Sequence, residues 1–183
     1  MRAAVAEVDS SEGGIDALVN NAGYGLHGPF EETTLDEIRR QFETNVFGAI
    51  ALTQMVLPGM REKSFGRVLN ISSVRGMLGI SAGYSAYVAA KGAINSLTRQ
   101  WATEWAKHGI NVNAISPTFV DTPQVAMLLG DPAFKKSLTD RIPLRRVGGT
   151  DDLVGPALFF CSDASAFVTG QILLIDGGLT ATQ

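Results

Sequence analysis

The chain has 183 residues, 45% of them hydrophobic and 18% charged, enough for a single globular unit with a real core. A net charge of −3 provides no field to hold nucleic acid or an anionic membrane surface, and no uncharged apolar run reaches the ~18 residues of a membrane helix. Cys161, the one cysteine, excludes an intrachain disulfide, and the acid-containing "MRAAVAEVDSSEGG" lacks a leader's apolar core, so the expected location is the cytoplasm.

In chain order, "DALVN" (16–20) reads as the first strand. "GYGLHG" follows and matches G-x-G-x-x-G, yet Pro29, Phe30 and two glutamates intervene before any helix begins. A phosphate loop must open a helix at its last glycine, so this segment is read as a glycine-rich turn beside the site. His27 lies in this turn and His108 at a helix end; they form no cluster that suggests a metal.

The first long helix is expected over 34–62. Thr34 and Glu37 make a capping box, and Ile38, Phe42, Val46 and Phe47 continue an apolar stripe. Asn45 interrupts that stripe with an amide that must find hydrogen-bond partners if it is buried. "RVLNIS" (67–72) is the second strand, and Ser72 and Ser73 follow at its end. A second helix spans 85–107, with Gly109 as its stop. "INVNAIS" (110–116) and "QILLID" (171–176) are the remaining strands. Between them a helix starts near Thr150, where Asp151 and Asp152 suit the positive end of the helix dipole. Cys161, in "ALFFCSD", reads as a small buried apolar residue.

Strands alternating with crossover helices predict an α/β fold, with a parallel sheet covered on both faces and ligands held beyond the carboxyl ends of its strands. One pair there has chemical potential. Tyr87 and Lys91 are four residues apart on one helix face, and a neighbouring ammonium favours phenolate and lowers a tyrosine pKa. Such a phenol can pass a proton to or from an alcohol or ketone oxygen. Tyr84 falls on nearly the same face, so spacing alone does not choose between the two tyrosines.

"DALVNNAG", "TNVFG", "RVLNISS", "YSAYVAAKGA", "INVNAISP" and "VTGQILLIDGG", in this order over about residues 13–179, resemble the successive signatures of the short-chain dehydrogenase/reductase family. The resemblance implies a Rossmann-type doubly wound parallel sheet that binds NAD or NADP and moves hydride between nicotinamide and a carbinol carbon. Tyr87 would be the general acid/base and Lys91 would lower its pKa and hold the nicotinamide ribose. Ser73 would bond the substrate oxygen, and Asn45 would hold a water linking Lys91 to solvent. Asn20, Asn21, Ala22 and Gly23 would line the cofactor, and Pro117, Val120 and Thr122 would meet the nicotinamide amide. Tyr84 has no family role.

Two departures qualify the likeness. Pro117-Thr118 stands where the family commonly has proline-glycine, a variant of some sugar and polyol dehydrogenases. The family's opening strand, TGxxxGxG turn and two further strand units have no counterpart here, so the expectation is one N-terminally truncated domain of about four strands over 1–183, with the "DALVN" strand as an apolar edge. Two functions follow. One is an oxidoreductase acting on a small alcohol or ketone, of sugar, polyol or 3-oxoacyl type. The other is an inactive member serving as an interaction module. The resemblance implies a homodimer or homotetramer for either.

Overall fold

The computed structural model describes residues 1–81 and 83–182. Its strands are β1 (Ala17–Asn20), β2 (Gly66–Ile71), β3 (Ile110–Pro117) and β4 (Ile172–Ile175), paired in parallel in that order. Each boundary lies within one residue of the expected position. Its α-helices are α1 (Arg2–Glu12), α2 (Leu35–Phe42), α3 (Gly48–Lys63), α4 (Ser85–Trp105), α5 (Ala126–Leu129), α6 (Pro132–Arg141) and α7 (Asp151–Cys161).

Register places Leu18, Val68 and Val112 side by side, so their side chains share one face. There Val56 and Met60 of α3 and Trp101 and Trp105 of α4 complete the core, with Val5 of α1 at its margin. The two tryptophans stack with ring centres 5.2 Å apart. On the opposite face Leu69 and Ile115 meet Phe160 of α7, and Cys161 packs against the same cluster. Helices on both faces explain why β2 and β3 read as almost continuous apolar runs. Val19, on the edge strand, remains 46% exposed.

The expected helix over 34–62 is interrupted. α2 starts on the Thr34–Glu37 capping box, but Glu43–Phe47 forms a π-helical turn before α3. The buried side chains of α2 and this turn are Gln41, Asn45 and Val46, whereas Phe47 is exposed. The inserted residue turns Asn45 inward toward a backbone partner, and a π-bulge of this kind commonly accompanies a functional site. α4 continues through a 3-10 turn, Ala106–His108, and closes on left-handed Gly109. α5 and α6 were not foreseen; they pack through Leu129, Leu138 and Ile142. Asp152 does more than complement a dipole. It pairs with both Arg146 nitrogens at 2.6 and 2.7 Å and accepts the Gly149 N–H at 2.7 Å. Among the described residues no helix is long and apolar enough to cross a membrane.

Candidate active site

The carboxyl ends of β1, β2 and β3 open onto a cavity of about 440 Å³. Its walls come from Asn21 and Gly23 after β1, Ser73 and Arg75 after β2, Pro117, Val120 and Thr122 after β3, and Tyr84, Tyr87 and Lys91 of α4 and its cap. This is where ligands bind in open parallel sheets. Ala22, Asn20 and Asn45 do not line it.

Tyr87 and Lys91 project from the first two turns of α4 into the cavity. Lys91 is buried; its Nζ donates to the Ile71 carbonyl at 2.6 Å and lies 5.8 Å from the Tyr87 ring centre. Burial lowers its pKa to about 8. Burial likewise pushes the Tyr87 phenol above its ordinary value; the Ser73 hydroxyl and the Arg75 guanidinium pull it down, and Tyr84 adds to the rise. The expected lowering of Tyr87 by Lys91 is therefore not met. The ammonium is directed at a backbone carbonyl, and desolvation of the phenol outweighs the lowering influences. At neutral pH the phenol carries its proton, which suits a general acid.

Ser73 follows β2 and caps the short 3-10 turn Val74–Gly76, its hydroxyl accepting the Arg75 N–H at 3.1 Å. Ser72 also borders the cavity, but its hydroxyl donates to the Lys91 carbonyl at 3.3 Å. Tyr84 stands edge-on to Tyr87, ring centres 6.2 Å apart, and also meets the His27 ring at 4.8 Å. The structure thus brings Ser73, Tyr87 and Lys91 onto one wall, with Tyr84 as a neighbour.

Asn45 acts at one remove. Its Oδ1 accepts the Tyr24 N–H at 3.1 Å and its Nδ2 donates to the Tyr24 carbonyl at 2.8 Å. Gln41, one turn earlier, donates to the same carbonyl at 2.7 Å and accepts the Leu26 N–H at 2.7 Å. Together they fix the strand-like course of "GYGL", whose Gly23 and Gly25 border the cavity. No helix opens at Gly28; its N–H instead bonds the Gly83 carbonyl at 2.9 Å. Gly83 has φ +29, and a Cβ there would collide with the Gly28 carbonyl, so the contact requires glycine.

Asn20 serves the sheet interior. Its Nδ2 donates to Asn70 Oδ1 at 2.8 Å and Thr53 Oγ1 at 3.1 Å, and Asn70 in turn donates to Thr98 Oγ1 at 2.9 Å. Gln41, Asn70 and Arg75 were not singled out from sequence, and Thr118 was noted only as a departure from proline-glycine. Gln41 could have been, as a polar residue four before Asn45 in the same stripe. Thr118 lines the cavity with a buried hydroxyl that has no partner.

A parallel α/β sheet with a tyrosine, a lysine and a serine hydroxyl gathered at its carboxyl edge defines a Rossmann-type oxidoreductase domain. The comparisons agree. The family described as "Enoyl-(Acyl carrier protein) reductase" matches residues 1–180. The gluconate 5-dehydrogenase of Gluconobacter oxydans is 37% identical over 178 residues, 97% of this chain and 69% of that protein. The 2-dehydro-3-deoxy-D-gluconate 5-dehydrogenase of Formosa agariphila is 36% identical over 183 residues, 100% of this chain and 69% of that protein. A gluconate 5-dehydrogenase from Burkholderia cenocepacia, solved in complex with NADP and tartrate, superposes with a TM-score of 0.95 at 37% identity. The match covers 100% of this chain and 71% of that one. The chain belongs to the short-chain dehydrogenase/reductase family, and it spans about two thirds of the length of these relatives.

Proposed function

We propose that this chain carries the catalytic part of an NAD(P)-dependent oxidoreductase interconverting a secondary alcohol of sugar or polyol type and its ketone. The observation that carries this reading is the common wall formed by Ser73, Tyr87 and Lys91 at the carboxyl edge of the sheet.

The residues present fit the nicotinamide end of the cofactor. Thr118 offers an orphaned buried hydroxyl, Thr122 and Val120 border the cavity, and Lys91 keeps two ammonium hydrogens beyond the one given to Ile71. Asn21 and Gly23 border it from the β1 side. A glycine-rich turn opening a helix, the device that holds a pyrophosphate, is not found among the described residues. When bound, the nicotinamide supplies or accepts the hydride.

The chain's own residues handle the proton. Ser73 donates to the substrate oxygen and holds it against Tyr87. In the reductive direction the protonated Tyr87 phenol gives its proton to the carbonyl oxygen as negative charge develops there. The Arg75 guanidinium, which draws the Tyr87 pKa down, favours the phenolate left behind, while Lys91 keeps its remaining hydrogens for the nicotinamide ribose. Asn45 is a positioning residue, since its amide is occupied with the Tyr24 backbone. In oxidation the same atoms run in reverse, and the phenolate accepts the alcohol proton. Ketone-dependent oxidation of NAD(P)H by a chain completed with the remaining nucleotide-binding half of the fold, followed with a panel of keto sugars and keto sugar acids, tests the reading; absence of turnover across the panel contradicts it.

A further inference from the structure

Arg75 is a cation that bonds no group of the proton chemistry, although its charge draws the Tyr87 pKa down. It stands two residues after Ser73 and lines the cavity with Tyr84 and Tyr87. Its Nη1 donates to the Gly79 carbonyl at 2.9 Å, which holds the half-buried side chain in place. Among the described residues no carboxylate pairs with it, and no aspartate or glutamate lines the cavity. Lys91, the other cation on the wall, is already engaged by Ile71. Burial disfavours the Arg75 charge, and Arg141, at the end of α6, adds a like charge that opposes it.

A guanidinium does not escape such a site by losing its proton. Half-buried, opposed by a like charge and lacking a carboxylate, it is a fixed positive charge that a bound anion would compensate. Its planar fork matches a carboxylate through two parallel hydrogen bonds.

We propose that Arg75 receives the carboxylate of the substrate, so that the cavity selects polyhydroxy carboxylic acids over neutral polyols. The proposal rests on the oxidoreductase reading for the reacting end of the substrate, and on Arg75 alone for the other.

The test compares kcat/KM for D-gluconate and D-glucitol, with NADP, in a chain completed with the remaining nucleotide-binding half of the fold and in its Arg75→Met and Arg75→Lys variants. The ratio of gluconate to glucitol should fall about 10- to 100-fold in Arg75→Met, through KM, as expected for a lost charge-assisted pair. Arg75→Lys should keep part of the preference, since it retains the charge without the fork. An unchanged ratio, or a rise in the NADP KM in place of the gluconate KM, overturns the proposal. Absence of turnover with either compound counts against the oxidoreductase reading alone. Gluconate binding by calorimetry then decides: binding to the wild type that Arg75→Met abolishes supports the proposal, and no binding to the wild type overturns it.

Discussion

Asn45 holds Tyr24 by both ends of its amide, accepting the backbone N–H at 3.1 Å and donating to the carbonyl at 2.8 Å. The pair joins the π-helical turn Glu43–Phe47 to the loop after β1. One buried side chain thereby sets the position of the segment that borders the cavity from below.

Because Gln41 donates to the same Tyr24 carbonyl, the two amides form one unit. Asn45→Leu should cost about 1–3 kcal/mol of stability, the usual penalty for stranding buried polar partners. The double variant with Gln41→Leu should cost more than the two singles added together, because either amide alone still satisfies the Tyr24 carbonyl and only the double variant strands it. Urea unfolding of the four proteins measures this; strict additivity would mean that the amides act independently.

Lys91 links burial to pH. Its pKa is lowered to about 8, so between pH 8 and its ordinary value near 10.5 the unfolded chain binds the proton and the folded chain does not. Stability from this group therefore rises with pH through that window and is lowest below it, where the buried ammonium is charged. Lys91→Met should stabilise the fold by about 1–2 kcal/mol at pH 7, after the loss of its hydrogen bond to Ile71 is counted. The advantage should shrink as pH rises from 8 toward 10.5. Thermal unfolding across that range is the check, and a pH-independent difference would contradict it.

Among the described residues no glycine-rich turn opens a helix, and the proposed cofactor contacts are confined to the nicotinamide end. Expressed alone, residues 1–183 should bind NADP more weakly than the micromolar range. Two or three missing charge-assisted hydrogen bonds remove several powers of ten in affinity. Isothermal titration decides; micromolar binding would show that another segment, such as "GYGLHG", holds the pyrophosphate.

Much of the fold was legible because its determinants are local. The apolar runs at 16–20, 67–72, 110–116 and 171–176 fall on β1 to β4, and the Thr34–Glu37 capping box is realised at the start of α2. Asn45 was visible as a polar break in an apolar stripe, but the π turn was not, because its partner is the Tyr24 backbone twenty-one residues away. The short helices α5 and α6 have too few turns to show a period. Tyr87 and Lys91 were legible as a candidate pair from their spacing, and Ser73 from the family resemblance. The direction of the Tyr87 shift was not, because desolvation depends on packing around the ring, and the aim of Lys91 toward Ile71 follows from burial between α4 and β2. Arg75 carried no periodic signal, since a basic residue in a loop is usually solvated.

The central claim is that Tyr87 moves the proton, and comparing Tyr87→Phe with Tyr84→Phe tests it most directly. The two rings share one wall, 6.2 Å apart, so each substitution disturbs packing similarly while removing a different hydroxyl. In a chain completed with the remaining nucleotide-binding half of the fold, NAD(P)H oxidation by the ketone substrate is followed in both variants. Tyr87→Phe should lower kcat by ~10²–10⁴-fold with little change in cofactor affinity, while Tyr84→Phe keeps most of its turnover. Near-normal kcat in Tyr87→Phe, or a collapse confined to Tyr84→Phe, would contradict the account.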